Sequence, residues 1–260
     1  MNLKRIHVFF FDLDGVLSVG KETPRYLGGR EVIERIKASG RKTAVLTNDS
    51  THIRKEILEN LQKFGFNFAF QEILTSSYLT AMYLADRFGK ASFFLVGEEG
   101  LRRELEAAGH CPTDSKPDAV VVGFDRKLTY QKLDQALRHL REGSILVGSY
   151  GGAVFMSDHG PALSAGPIIK ALEYGSSRRA VMIGKPSPRM FKLALRRTGE
   201  KATNAVMVGD QIETDLLGAH RAGVRTTLVL TGVETRESIE GAKIKPDLVL
   251  SRVDDLADLL

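Results

Sequence analysis

The chain of 260 residues has a single cysteine, Cys111. One thiol excludes a disulfide framework and a multi-cysteine zinc site. No apolar run approaches the roughly 18 residues needed to span a bilayer. The opening, MNLKRIHVFFFDLDGVL, is basic and then apolar, as a secretion signal would be. Asp12 and Asp14 interrupt it and no small-residue cleavage site follows directly, so it reads as the first strand of a cytoplasmic protein. A basic stripe with interleaved aromatics is also missing. Lys and Arg exceed Asp and Glu by 37 to 32, but they are mixed with acids in helical stretches such as Leu101–Glu106 and Arg138–Glu142. That is solvated surface, which argues against nucleic acid and membrane partners. Repeats, low-complexity tracts and flexible linkers are not found. At about 150 residues per domain the length allows one or two domains. A hydrophobic share of 43% against 27% charged suffices to build packed cores.

What the sequence does contain is a succession of short, nearly continuous apolar runs. They are Ile6–Phe11, Thr43–Thr47, Ala91–Val96, Ala119–Gly123, Ser144–Gly148, Ala180–Gly184, Ala205–Gly209, Thr226–Leu230 and Asp247–Leu250. Continuous hydrophobicity marks strands covered on both faces, as in parallel sheets. Between them lie helix-period segments. Ile53, Ile57, Leu61 and Phe64 share one helical face, and so do Leu133, Leu137 and Leu140. Helical stretches stop repeatedly at glycine, from Gly40 through Gly223. Strand, helix, glycine, strand predicts an α/β, doubly wound, mostly parallel sheet.

Ligands of open α/β sheets bind beyond the carboxyl ends of the strands. The first run ends in Asp12-Leu13-Asp14-Gly15 and the second in Thr47-Asn48-Asp49-Ser50. Lys185-Pro186 follows a third, and Asp210, with Asp215 five residues on, follows a fourth. Asp12, Asp14, Asp210 and Asp215 would place up to four carboxylates around one point. Two like charges about 4 Å apart repel by roughly 4 kcal/mol at an effective dielectric of about 20, so the cluster needs a cation. Oxygen-only ligands favour a hard divalent ion, and Mg²⁺ is typically held by carboxylates together with water and substrate phosphate. Lys185, Thr47, Asn48 and the free amides of a helix beginning near His52 would receive an anion. Two aspartates two apart on an extended segment point the same way, so one can attack while the other handles protons.

FFFDLDGVL, LTND, GKPSP and VGDQIETD resemble the four motifs of the haloacid dehalogenase (HAD) superfamily of phosphohydrolases. Motif two so soon after motif one, Thr75–Ser77 and Val120–Tyr130 resemble its class IIA branch, which includes 4-nitrophenylphosphatases, phosphoglycolate phosphatases, pyridoxal phosphatases and nucleotide phosphatases. The resemblance implies that Asp12 is a nucleophile forming an aspartyl phosphate and that Asp14 is the general acid and then the general base. It implies that Thr47 and Asn48 bind phosphate, and that Lys185 neutralises the nucleophile and the transferring group. Asp210 and Asp215 would hold Mg²⁺, with a side-chain oxygen of Asp12 and the backbone carbonyl of Asp14. Release of an alkoxide suits the carboxylate at Asp14, which a dehalogenase does not need.

The same resemblance implies a Rossmannoid core at 1–77 and 178–260 and a smaller α/β cap at 78–177. The substrate expected is a small phosphorylated metabolite. Relatives often carry TNNS where Asp49 stands here, and a TNPD-like run where this chain has Ser149-Tyr150-Gly151-Gly152. Tyr150 and His159 are therefore candidate specificity residues. Two further readings stay open on these residues: a phosphotransferase using the same intermediate, and a phosphate-binding module without turnover. Similar proteins commonly dimerise through the cap, and the residues do not decide whether this chain is a homodimer.

Overall fold

The computed structural model describes residues 2–20, 24–157 and 160–260. The chain folds as two compact units, one of Met1–Thr47, Arg54–Leu74 and Lys185–Leu260, the other of Asn48–Ile53 and Thr75–Gly184. Among the described residues no helix is long and apolar enough to cross a membrane.

The first unit is built on a six-stranded sheet, in the order Leu248–Leu250, Arg225–Val229, Ala205–Gly209, Val8–Phe11, Lys42–Thr47, Ile73–Thr75. Val8–Phe11 lies near the middle and pairs in parallel on both sides, with Phe11 opposite Val45 and Val208. All four of its residues are buried, which is why the run Val8-Phe9-Phe10-Phe11 shows no polar alternation. Phe9 and Phe11 share one face with Val45, Val206 and Val208. Helix Arg30–Ala38 covers that face with Val32, Ile33 and Ile36, and helix Arg54–Lys63 with Ile57 and Leu61. The strands after Val8–Phe11 fill one half of the sheet, and those after residue 200 fill the other. The order therefore reverses between Val8–Phe11 and Ala205–Gly209, where a doubly wound sheet opens its ligand crevice.

The second unit carries a five-stranded parallel sheet, in the order Val181–Met182, Ile145–Gly148, Ala119–Val122, Ser92–Val96, Cys111–Pro112. Helices Tyr130–Glu142 and Ala165–Ser176 cover one face. Ala136, Leu140, Ile169 and Leu172 pack there on Phe94, Val96, Val120, Val122 and Leu146. Thr129 caps the first of these helices, accepting a hydrogen bond from the Lys132 amide. A hairpin of Val154–Ser157 and Gly160–Leu163, which the sequence patterning does not flag, completes the unit.

The units change over after Leu74 and after Gly184, where 77 and 178 were the expected bounds. The run Ala180–Gly184 ends no strand of the first sheet; Val181 lies opposite Val147 and Met182 opposite Gly148 in the second. Ile183 and Gly184 extend the contact by donating their amides to the carbonyls of Gly148 and Ser149. An apolar run does not say which of two sheets it joins, because both are parallel and covered. The loop Asn48–Ile53, expected with the first sheet, likewise belongs to the second unit.

Candidate active site

Asp12 follows the strand Val8–Phe11 directly, and its amide donates to the Val208 carbonyl, which continues the sheet ladder by one residue. Asp210 follows the neighbouring strand Ala205–Gly209. Asp215 arrives on a single π-helical turn, Ile212–Leu216, that runs into helix Leu217–Arg221. Such wide turns recur at functional sites because they swing one side chain out of helical register. Gly209 makes room for this, since a side chain there would overlap the Asp215 carboxylate. Gly15 and Gly232 lie equally close to the Asp210 carboxylate.

The three carboxylates each place an oxygen within 4.8 Å of the others, and all three residues are buried. Lys185, 2% exposed, reaches into the group, with Nζ 2.7 Å from Asp12 Oδ1 and 2.6 Å from Asp215 Oδ1. Among the described residues one cation thus faces three buried acids. Burial drives the Asp12 carboxyl well above its ordinary value, and Asp215 and Asp210 push the same way against the opposing pull of Lys185. Burial and then the Asp215 charge raise Asp210 to about 7. Burial alone would lower Lys185, but Asp12 and Asp215 outweigh it and hold the ammonium charged.

Asp210 shows what the cluster is missing. Its Oδ2 accepts from the Val233 amide at 3.0 Å, whereas its Oδ1 is buried with no hydrogen-bond partner among the described residues. A buried acceptor without a partner is costly unless a ligand fills the place. An all-oxygen donor set of surplus negative charge fits a hard divalent cation and gives no place to a soft one.

The segment Leu230–Glu234, which the motif reading passes over, supports this edge. Thr231 Oγ1 donates to the Gly15 carbonyl at 2.6 Å, and Glu234 accepts from the Ile212 amide at 3.1 Å. The signal was present in the sequence, where Thr231-Gly232 ends another apolar run beside those that carry aspartate.

Asp14 is half-buried and bridges to Ser18 across the turn that follows Asp12. Thr47, buried, ends its strand, and Asn48 is half-buried at the start of the loop. The helix after that loop begins at Arg54, two residues later than expected. The loop amides that precede it are not left for an anion. Asp49 Oδ1 accepts from the amides of Thr51, at 2.8 Å, and His52, at 3.4 Å, while Oδ2 accepts from His52 Nδ1 at 2.7 Å. Tyr150 follows the strand Ile145–Gly148, and its hydroxyl meets Ser164 Oγ within the second unit. His159 lies outside the described residues.

A family model described as haloacid dehalogenase-like hydrolase matches residues 9–111, and one described as HAD-hydrolase-like matches residues 182–259. Human glycerol-3-phosphate phosphatase is 32% identical, over 99% of this chain and 91% of its own length. Mouse chronophin is 32% identical over 96% and 90%. The crystal structure of 4-nitrophenylphosphatase from Thermotoga maritima superposes with a TM-score of 0.92 at 32% identity, covering 99% of this chain and 98% of that one. The chain belongs to the haloacid dehalogenase-like hydrolases. Within them it is an enzyme of the phosphatase group, the phosphoric monoester hydrolases.

Proposed function

We propose that the chain hydrolyses small phosphate monoesters of metabolites in the cytoplasm through an aspartyl-phosphate intermediate, with Mg²⁺ as cofactor. The observation that carries this reading is Lys185 held between Asp12 and Asp215, with the unpartnered Asp210 oxygen in the same buried cluster. In the first step an Asp12 oxygen bonds to phosphorus as the ester P–O bond breaks, and Asp14 gives its proton to the departing alkoxide. In the second, Asp14 takes a proton from water. That water bonds to phosphorus, the aspartyl P–O bond breaks, and inorganic phosphate leaves. Lys185 neutralises Asp12 before attack and the phosphoryl oxygens during it. Thr47 and Asn48 receive the phosphate. Asp12, Asp210 and Asp215 would hold Mg²⁺, with the Asp14 carbonyl, and the ion supplies the positive charge that an anionic ester and three carboxylates require. The second unit selects the leaving group.

The test is phosphate release from 4-nitrophenyl phosphate with Mg²⁺, with chelator, and by Asp12→Asn. The amide keeps the shape of the nucleophile without its reactivity. The expected result is steady turnover that disappears with chelator, returns with Mg²⁺, is poorly supported by Ca²⁺, and falls by more than about 10³-fold in a folded Asp12→Asn protein. Wild-type rates from that variant would remove the intermediate. Product forming only with an added alcohol would make the enzyme a phosphotransferase.

A further inference from the structure

The loop that bears Asn48 lies against glycines far away in the sequence. The loop Asn48–Ile53 rests on three positions of the second unit where no side chain stands. At Gly100, the second residue of helix Glu99–Ala107, a Cβ would overlap the Thr51 carbonyl oxygen and lie 2.9 Å from the His52 amide nitrogen. At Gly184 it would lie 2.5 Å from Asn48 Oδ1, 2.6 Å from the Ser149 carbonyl oxygen and 2.7 Å from Tyr150 Cβ. At Gly123, next after the strand Ala119–Val122, it would lie 2.7 Å from Leu101 Cδ2, 3.1 Å from Ser149 Oγ and, in ordinary contact with the loop, 3.4 Å from Ser50 Oγ. The Ser50 and Ser149 hydroxyls are buried and make no hydrogen bond among the described residues. Ser76 Oγ donates to the Asn48 carbonyl at 3.1 Å, and Asp49 fastens Thr51 and His52.

We infer that Gly100, Gly123 and Gly184 form a seat that sets the position of Asn48, and that Gly100 is a positioning residue for phosphate recognition. The inference rests on the reading of Asn48 as a phosphate ligand. Gly100 is the most telling of the three. Its neighbour in the loop is backbone, which cannot rotate aside as a side-chain end can. It also lies more than 40 residues from any motif, so replacing it changes no chemical group of the site. In a helix, alanine is favoured over glycine. Gly100→Ala should therefore hold or strengthen its own helix while pushing the loop away, so stability and phosphate affinity part company.

The experiment measures KM and kcat for 4-nitrophenyl phosphate, the inhibition constants of orthovanadate and inorganic phosphate, and melting temperature. It uses wild type, Gly100→Ala, Asn48→Ala, and Gly241→Ala as the control, since nothing lies within 4 Å of a Cβ at Gly241. A misplacement on the order of 1 Å can cost up to about 100-fold. The expected result for Gly100→Ala is a rise of about tenfold or more in KM and in both inhibition constants, with Mg²⁺ activation and melting temperature close to wild type. Gly241→Ala should match wild type throughout. Should Asn48→Ala weaken vanadate while Gly100→Ala binds it as wild type does, the helix has given way instead of the loop and the inference is overturned. Should Asn48→Ala leave vanadate unchanged in an active enzyme, the assignment of Asn48 is what fails. A Gly100→Ala protein with reduced melting temperature and unaltered inhibition constants also overturns it, since the seat is then only structural.

Discussion

Two buried aspartates, one in each unit, are driven in opposite directions. Asp210 rises to about 7, because burial and the neighbouring Asp215 disfavour its charge and outweigh the Val233 amide and the charge of Lys185. Asp49 falls to about 2, because the hydrogen bond and charge of His52, with the Thr51 donors, overcome a burial penalty of the same kind. The difference lies in how far the surroundings have already answered the charge. Asp49 is saturated with donors and locks a loop. Asp210 is left short, with one oxygen unpartnered among the described residues, while Asp12 and Asp215 share the single ammonium of Lys185. The strand ends repeat the contrast. In the first unit they carry Asp12, Thr47 and Asp210; in the second they carry Gly97, Gly123 and Ser149. Two parallel sheets of similar build thus divide the labour, one presenting unmet charge and the other a smooth seat for the loop that bears Asn48.

Removing the one cation of the charged cluster should break the comparison most severely. Lys185→Ala leaves the buried carboxylates facing one another. Turnover should drop by at least about 10²-fold, as when a preorganised charge-stabilising donor is removed. In chelator the variant should lose about 3–5 kcal/mol of stability, since one partner of a buried pair is gone. The loss should grow with pH. The folded-state carboxyls of Asp12 and Asp210 sit above their unfolded values, so protons still relieve the cluster at low pH and leave it as pH rises through about 7. Urea midpoints at pH 5 and pH 8 check this. Equal losses at both would mean that Lys185 is not the counter-ion of the cluster.

The saturated aspartate should behave the other way. Asp49 has a depressed folded-state value, so its contribution is complete above its ordinary value near 3.8 and is lost as pH falls through about 2. That difference corresponds to about 2 kcal/mol. Asp49→Asn should be less stable than wild type by that order above pH 4, converge with it near pH 2, and show a flatter acid limb between. Parallel acid limbs for the two proteins would show that the donors around Asp49 do not discriminate its charged form.

Much of this division was legible in the residues themselves. Continuous apolar runs disclose parallel strands, and Gly40, Gly65, Gly89, Gly109, Gly143, Gly199 and Gly223 all take positive φ just past helical segments. Polar residues at strand ends led to Asp12, Asp210, Asp215 and Lys185, which do meet. Periodicity could not assign Val181–Met182 to its sheet, because a buried parallel strand reads alike in either. Nor could it reveal that Asn48 rests against Gly184 or that Thr51 rests against Gly100. A glycine that leaves space for a distant backbone reads the same as one that ends a helix. The role of Asp49 stayed hidden for a related reason: a carboxylate beside a phosphate loop looks repulsive until its donors, Thr51 and His52, are placed.

The gentlest test concerns selectivity, and it falls on the second unit. Tyr150 follows the strand Ile145–Gly148, its ring packs with the Phe94–Leu172 cluster, and its hydroxyl is engaged by Ser164. A side chain anchored at both ends is rigid enough to discriminate between leaving groups without touching the phosphate chemistry. Tyr150→Ala keeps the Cβ that lies against Gly184, so the seat of Asn48 survives the change. Relative kcat/KM across a panel of phosphorylated metabolites should then shift by about tenfold, or about 1.4 kcal/mol. Mg²⁺ dependence and vanadate inhibition should stay as in wild type, because Lys185 and the three carboxylates belong to the first unit. Tyr150→Phe keeps the ring and loses the anchor to Ser164, so it should shift the ranking less. The panel is best extended to variants across Ser149–Ser164 and, for contrast, between Val19 and Arg25. An unchanged ranking in every variant of the first group, with reordering in the second, would move leaving-group selection from the second unit to the first.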